Sequence, residues 1–514
     1  MWSKGLAALS VGALATSAAA EARFVPVDVA PHVYDGGWEH YVGGGVAVFD
    51  CDGDGLSDLV AAGGENPAIL MRNRSDTDGD IRFETATPDD LTLTGVAGVY
   101  ALDIDGDGWR DLVILRVGEN KLLQGGPECS FRPMEIDGFD GGDGWTTAFS
   151  ATWEAGNALP TLAFGNYVDR TNPDGPFEAC DANVLFRPEG DGYSKTLLEP
   201  GFCPLSILFS DWGRQGRPDL RMSNDRHYYV KGGAEQMWAM EATPRLFDEG
   251  DGWTTHMLWG MGIASRDIDF DGVSEVFMSS MGDQRLMRLS RGEGPTFEDV
   301  PYEMGTSAHR PYQGGDGRPS TGWHIAFGDV TNNGLDDVFI AKGNVEQMPD
   351  AAMEDPNNLL IQMPDGSFEE QGGIAGIGTM ARSRGAALAD LNNNGLLDLV
   401  VVNRRAPMEV YQNVTEDAGH WVAVSLLGDG GNGDAVGAFI EVQAGARAYV
   451  REVVVGGGHA GGVAVPEHFG LGDVTAVKVR VIWPGGIVSD WVDLKTGAVW
   501  MLWADGDGLA VAEY

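Results

Sequence analysis

The run Asp50-Cys51-Asp52-Gly53-Asp54-Gly55-Leu56-Ser57-Asp58-Leu59 places four carboxylates within nine positions. In a tight loop, carboxylates at positions one, three and five point inward, position seven offers its carbonyl, and position nine offers another carboxylate. Hard divalent cations want this chemistry: Ca²⁺ takes about 6–8 oxygens at roughly 2.3–2.6 Å. A glycine at position six allows the backbone to bend around the ion. The predicted ligands here are Asp50, Asp52, Asp54, Leu56 (through its carbonyl) and Asp58.

The same frame returns along the chain. One copy offers Asp103, Asp105, Asp107, Trp109 and Asp111; another offers Asp267, Asp269, Asp271, Val273 and Glu275. A fourth has Asp329, Thr331, Asn333, Leu335 and Asp337, and a fifth Asp390, Asn392, Asn394, Leu396 and Asp398. These last two keep oxygen ligands but carry less charge, so their affinity should be lower. A weaker copy has Asp211, Gly213, Gln215, Gly216 and Asp219 and should bind weakly or not at all. In another, Trp153, Ala155, Asn157, Ala158 and Thr161 have lost the acids, so no ion is expected. The early ligands follow an EF-hand loop, but the glutamate at position twelve and the flanking helices are missing, which excludes that motif. An isolated Asp-Gly run is ordinarily a polar hairpin turn. Asp76 to Asp80 and Asp505-Gly506-Asp507 are read that way. The in-frame loops differ, because three or four crowded carboxylates repel one another until a cation neutralises them.

These loops need short strands to hold them. The seven copies start at residues 50, 103, 153, 211, 267, 329 and 390, at intervals of 53, 50, 58, 56, 62 and 61 residues. Position ten is aliphatic in every copy: Leu59, Leu112, Leu162, Leu220, Val276, Val338 and Leu399. Apolar runs flank the loops, such as Val46–Phe49 before and Leu112–Leu115 after. They read as strands. A third strand follows in most units, as at 69–71, and a fourth opens on an aromatic, as at Phe83, Phe297 and Phe368. Four strands per unit, repeated seven times, predict an all-β seven-bladed β-propeller followed by a small C-terminal β-domain. An open solenoid would need atypical capping repeats at both ends, and none is evident.

Composition narrows the function. The 514 residues carry a net charge of −43, which opposes binding to nucleic acid or to anionic membrane surfaces. Glycine, at 75 residues, fits many tight turns. The start reads as a cleavable signal peptide: Lys4, an apolar run from Gly5 to Ala15, then small residues to a cleavage point near Ala20. Secreted or periplasmic localisation is expected, with no membrane insertion, since no later stretch reaches the length of a span. Export permits disulfides among Cys51, Cys129, Cys180 and Cys203. Three pairings are possible; proximity along the chain favours Cys51–Cys129 and Cys180–Cys203.

At the loop residues the chain resembles the FG-GAP (integrin-α-like, VCBS-type) repeat family over roughly residues 24–413. The resemblance implies a seven-bladed propeller with Ca²⁺ between the first two strands of a blade. After Asn413 the chain is similar to the ASPIC/UnbV domain. The similarity runs through His420-Trp421-Val422-Ala423-Val424, Gly437-Ala438, Arg451-Glu452-Val453, His468-Phe469-Gly470-Leu471-Gly472 and Val479–Gly486. The combination resembles bacterial relatives of cartilage acidic protein 1. The expected division is a signal peptide at 1–20, the propeller at 24–413, the β-domain at 414–503 and a tail at 504–514.

Catalytic signals are weak. There is no nucleophile-elbow, zinc-protease or P-loop pattern. His459, within Gly456–Gly462, reads as part of a turn, and His468 as a packed or locally bonded residue. His309, Arg310, Trp323 and His324 could line the mouth of a central funnel. The leading expectation is a non-catalytic extracellular binding or adhesion protein with about five structural Ca²⁺ ions and a protein or glycan partner. The alternative is an exported enzyme with an active site in the funnel, which would need that funnel open.

Overall fold

A computed structural model describes residues 20–154, 156–173, 178–225, 233–290, 294–506 and 508–514. The expected signal peptide, apart from Ala20, lies outside the described residues, as do Ala155 and Asp507. The fold is mostly β, made of repeated four-stranded antiparallel sheets of the kind that build propellers and solenoids.

Each predicted loop joins the first strand of a sheet to the second. In the first sheet Val46–Phe49, Asp58–Ala61, Ile69–Asn73 and Phe83–Thr85 pair in sequence order. The position-nine residue opens the second strand, and the position-ten aliphatic side chain is buried in all seven sheets. Side chains alternate across a strand, so these positions fix which face enters the core. The first strands of the remaining sheets are Val96–Leu102, Thr146–Thr152, Pro204–Ser210, Gly260–Arg266, Gly322–Gly328 and Arg382–Ala389. Each packs beside the next, and Arg382–Ala389 packs beside Val46–Phe49. The last sheet takes its outer strand from the other end of the chain. Phe24–Val27 pairs antiparallel with Glu409–Asn413, Phe24 opposite Asn413. One apolar core spans this join, with Leu59 and Val60 packed with Leu391 and Val400.

Residues after Asn413 form two further sheets around a shared core of Val422, Val424, Ile440, Val442, Phe469 and Val479. One contains His420–Leu427, Glu467–Gly472, Val499–Asp505 and Gly508–Glu513. The expected tail is therefore an edge strand. Gly506, at φ 60, makes the reversal that sends the chain back along Val499–Asp505. Both expected disulfides are present, Cys51–Cys129 and Cys180–Cys203.

The connection from Arg447–Glu452 to Glu467–Gly472 leaves the C-terminal sheets and runs among the first strands of the repeated sheets. Ala151 N–H donates to Val455 O, Gly457 N–H to Ile207 O, and Gly458 N–H to Ile263 O. Val99 N–H donates to Ala460 O and Val48 N–H to Gly462 O. Val463–Ala464 then pairs parallel with Val48 and Phe49. His459, fully buried, donates its backbone N–H to His324 Nδ1 at 3.0 Å.

Candidate metal centres

The loops share one hydrogen-bond frame. The position-one aspartate accepts the N–H of the position-six glycine: Gly55 to Asp50, Gly108 to Asp103, Gly272 to Asp267, Gly334 to Asp329 and Gly395 to Asp390, at 2.6–3.1 Å. The position-five side chain accepts the N–H of position seven, so Leu56, Trp109, Val273, Leu335 and Leu396 bond to Asp54, Asp107, Asp271, Asn333 and Asn394. Position four is left-handed in every copy: Gly53, Gly106, Gly156, Arg214, Phe270, Asn332 and Asn393. Glycine and asparagine tolerate this conformation best. The sequence reading had singled out only position six.

Position nine, expected to offer a carboxylate to the ion, also accepts backbone hydrogen bonds. One carboxylate oxygen accepts the N–H of position two, as from Cys51 to Asp58, Ile104 to Asp111, Ile268 to Glu275, Val330 to Asp337 and Leu391 to Asp398. In four of these loops the other oxygen accepts an N–H from the third strand: Asn73, Gly125, Gln362 and Asn413. The acid thus staples loop, second strand and third strand together. Asp58 and Asp111 still bring an oxygen within 4.8 Å of those of two other acids in their loops.

Three acidic groups bring one oxygen from each member within 4.8 Å of the others: Asp50, Asp52 and Asp58; Asp103, Asp105 and Asp111; Asp267, Asp269 and Asp271. Each could share one metal ion. Cys51, Asp58 and Cys129 are equally close, but the disulfide has consumed both thiolates. Burial pushes Asp58 and Asp111 up to about 7, Asp267 to about 7 and Glu275 to about 8, and neighbouring loop acids push the same way. A cation held among these oxygens would favour their ionised form and lower them again. The position-three oxygens Asp52 Oδ1 and Asn392 Oδ1 are buried and make no hydrogen bond among the described residues. Oxygen donors of this kind suit a hard cation better than a soft metal.

Third-strand side chains beside the loops escaped the sequence reading. Arg72 pairs with Asp52, and Arg74 lies 3.8 Å from Asp54. Arg288 lies 3.4 Å from Asp269 and 3.3 Å from Glu275. The loop at 103 has a neutral neighbour, Gln124, which donates to Asp105 at 2.6 Å. The signal for Arg72, Arg288 and Gln124 is positional: they follow the buried third-strand residues Met71, Met287 and Leu123.

The two weak copies are closed by their own side chains. Trp212 Nε1 donates to Asp219, which also pairs with Arg217. Thr161 and Arg187 both bond Glu154.

The C-terminal sheets sit on this loop face. Arg451 pairs with Asp336 at 2.9 Å, both buried. Arg447 donates to Gly334 O, and His468 Nε2 bonds Gly395 O at 3.0 Å. Glu452 accepts Ser210 Oγ–H and Asp211 N–H. The proposed funnel residues separate: Trp323 and His324 are buried against His459, whereas His309 bonds locally to Ser307 O and Arg310 is exposed.

A family model described as FG-GAP-like repeat matches residues 50–114, and one described as ASPIC and UnbV matches residues 428–507. No curated protein matches the sequence. Similar solved structures include BBS1N in complex with ARL6DN, at 10% identity, 76% of this chain, 97% of that chain and a TM-score of 0.44. An Agrocybe aegerita lectin specific for non-reducing terminal N-acetylglucosamine is similar at 14% identity, over 73% and 94% of the two chains, with a TM-score of 0.40. YCF48 from Cyanidioschyzon merolae is similar at 10% identity, over 76% and 99%, with a TM-score of 0.41.

Proposed function

We propose that this chain, which carries an FG-GAP-like repeat and an ASPIC/UnbV domain, is an exported calcium-binding protein acting as a non-catalytic binding or adhesion module. Residues 24–413 form a closed seven-bladed propeller in this reading. The contact between the last and first first-strands, and the outer strand supplied by Phe24–Val27, support closure. The reading rests above all on the recurring loop cage, in which acids converge on one point in the copies at 50, 103 and 267. Positions one, three, five, seven and nine supply the ligands. The ions at 329 and 390 sit among fewer charges, and Gln124 makes 103 the tightest site because no arginine must be displaced.

Calcium here is structural. At free Ca²⁺ about 100 times Kd, each site adds roughly 2.7 kcal/mol to folding. That is large beside a typical net stability of about 5–15 kcal/mol. The partner, a protein or glycan outside the cell, meets a rigid surface. An enzyme working in the funnel would need space that Val455–Ala464 fills with backbone.

Titration calorimetry on the mature protein, with thermal melts in calcium and in chelator, tests this. About five ions and a large fall in Tm on chelation are expected. No bound calcium and an unchanged Tm would reduce the loops to acidic turns.

A further inference from the structure

A cavity of about 610 Å³ opens between the loops of the first two sheets and the C-terminal sheets. Its volume lies within the range of small-molecule sites, roughly 300–1,000 Å³. The interior is aliphatic: Leu427, Val455, Val463, Val499 and Met501 line it. Leu427 is 52% and Val463 45% exposed because they face this space and not a core. Aliphatic side chains left open to solvent in a concave site mark a place for an apolar ligand.

The rim is acidic. Asp50, Asp103, Asp107, Asp390, Asp434 and Glu467 border the cavity against one cation, Arg110, which is already paired with Asp434. Glu467 is already shared with Arg266 at 3.7 Å and Arg451 at 4.0 Å, but a divalent ion in the loop at 103 would offset only two of the four charges on Asp103, Asp105, Asp107 and Asp111, so the rim stays negative there. The chain as a whole keeps a strong negative charge: five such ions offset only ten of its 43 excess negative charges. An anionic head group would meet this field unfavourably, and a cationic one favourably.

We infer that the cavity binds a small amphiphile, with an apolar tail among the valines and a cationic head at the acidic rim. This site borders the calcium cages, sharing Asp50, Asp103, Asp107 and Asp390 with them, but does not require them to bind metal.

The full mature chain, in calcium buffer, would be titrated with the neutral dye N-phenyl-1-naphthylamine, followed by its fluorescence. Decyltrimethylammonium and decanesulfonate would then compete for the dye, both below micelle-forming concentrations. One saturable dye site is expected, with the cation displacing the dye at a concentration about tenfold or more below the anion. Leu427→Trp, at an exposed position on the wall, should weaken dye binding about tenfold or more with Tm unchanged. Val463→Trp should do the same, and if its strand pairing fails, the Leu427 variant decides alone. Non-saturable dye binding, equal displacement by both amphiphiles, or wild-type affinity in Leu427→Trp would overturn the proposal.

Discussion

His324 and His459 show how one proton can matter to this fold. His324 Nδ1 accepts the His459 backbone N–H, so it must stay unprotonated for that bond to exist. His459 accepts Gly43 N–H at Nε2, which leaves its Nδ1 proton for Met261 O. Burial lowers His324 to about 4 and His459 to about 3. A histidine depressed below its unfolded value, about 6.5, contributes stability that is whole above pH 6.5 and shrinks as pH falls toward its folded value. Melts from pH 7 to pH 4 should therefore show a loss that His324→Gln, whose amide oxygen can still accept the bond, reduces by on the order of 2 kcal/mol. A variant whose pH profile parallels the wild type would show that the pair stays neutral without cost.

The glycines around this pair belong to the element scale. The connecting segment and the first strands meet backbone to backbone. A Cβ at Gly45 or Gly98 would land on the Ala460 carbonyl oxygen, and one at Gly461 on Val46. Glycine is required on both sides because no side chain fits between. Gly98→Val should push the segment out, lower stability by about 1–3 kcal/mol or more, and speed hydrogen exchange over residues 454–464. Unchanged protection there would mean that the neighbouring strands absorb the side chain. The loops show a second element-level device. Asn393 at position four donates to Gly55 O of the next loop, and Asn332 to Gly395 O. Successive loops are thus linked by side-chain hydrogen bonds.

At the scale of the molecule, the C-terminal sheets and the repeated sheets stabilise each other. The segment 455–464 bonds to first strands from six of the seven repeated sheets among the described residues. Arg451–Asp336 and the Glu452 contacts add polar anchors. The whole chain should melt in one transition. A fragment ending at Asn413 should lose that cooperativity or melt far lower, as calorimetry and circular dichroism would show. A fragment that melts as a cooperative monomer near the full-length Tm would separate the two parts energetically.

The sequence by itself determined what lies within ten residues. Loop frame, strand pairing on either side and buried position ten follow from local alternation and turn chemistry; the disulfide pairs, 78 and 23 residues apart, are favoured only by order along the chain. Asp58 is an instructive limit: its acidity was legible, but its bond to Asn73 depends on a third strand fifteen residues away. Only the tertiary structure decided where Gly456–Gly462 goes. In isolation a glycine run reads as a turn, and its partners, such as Val48 and Val99, lie hundreds of residues upstream. The outer strand from Phe24 and the cavity beneath Leu427 have the same cause. Each is made by surfaces distant in sequence, and no local pattern carries information about a partner that the chain meets only after it has folded.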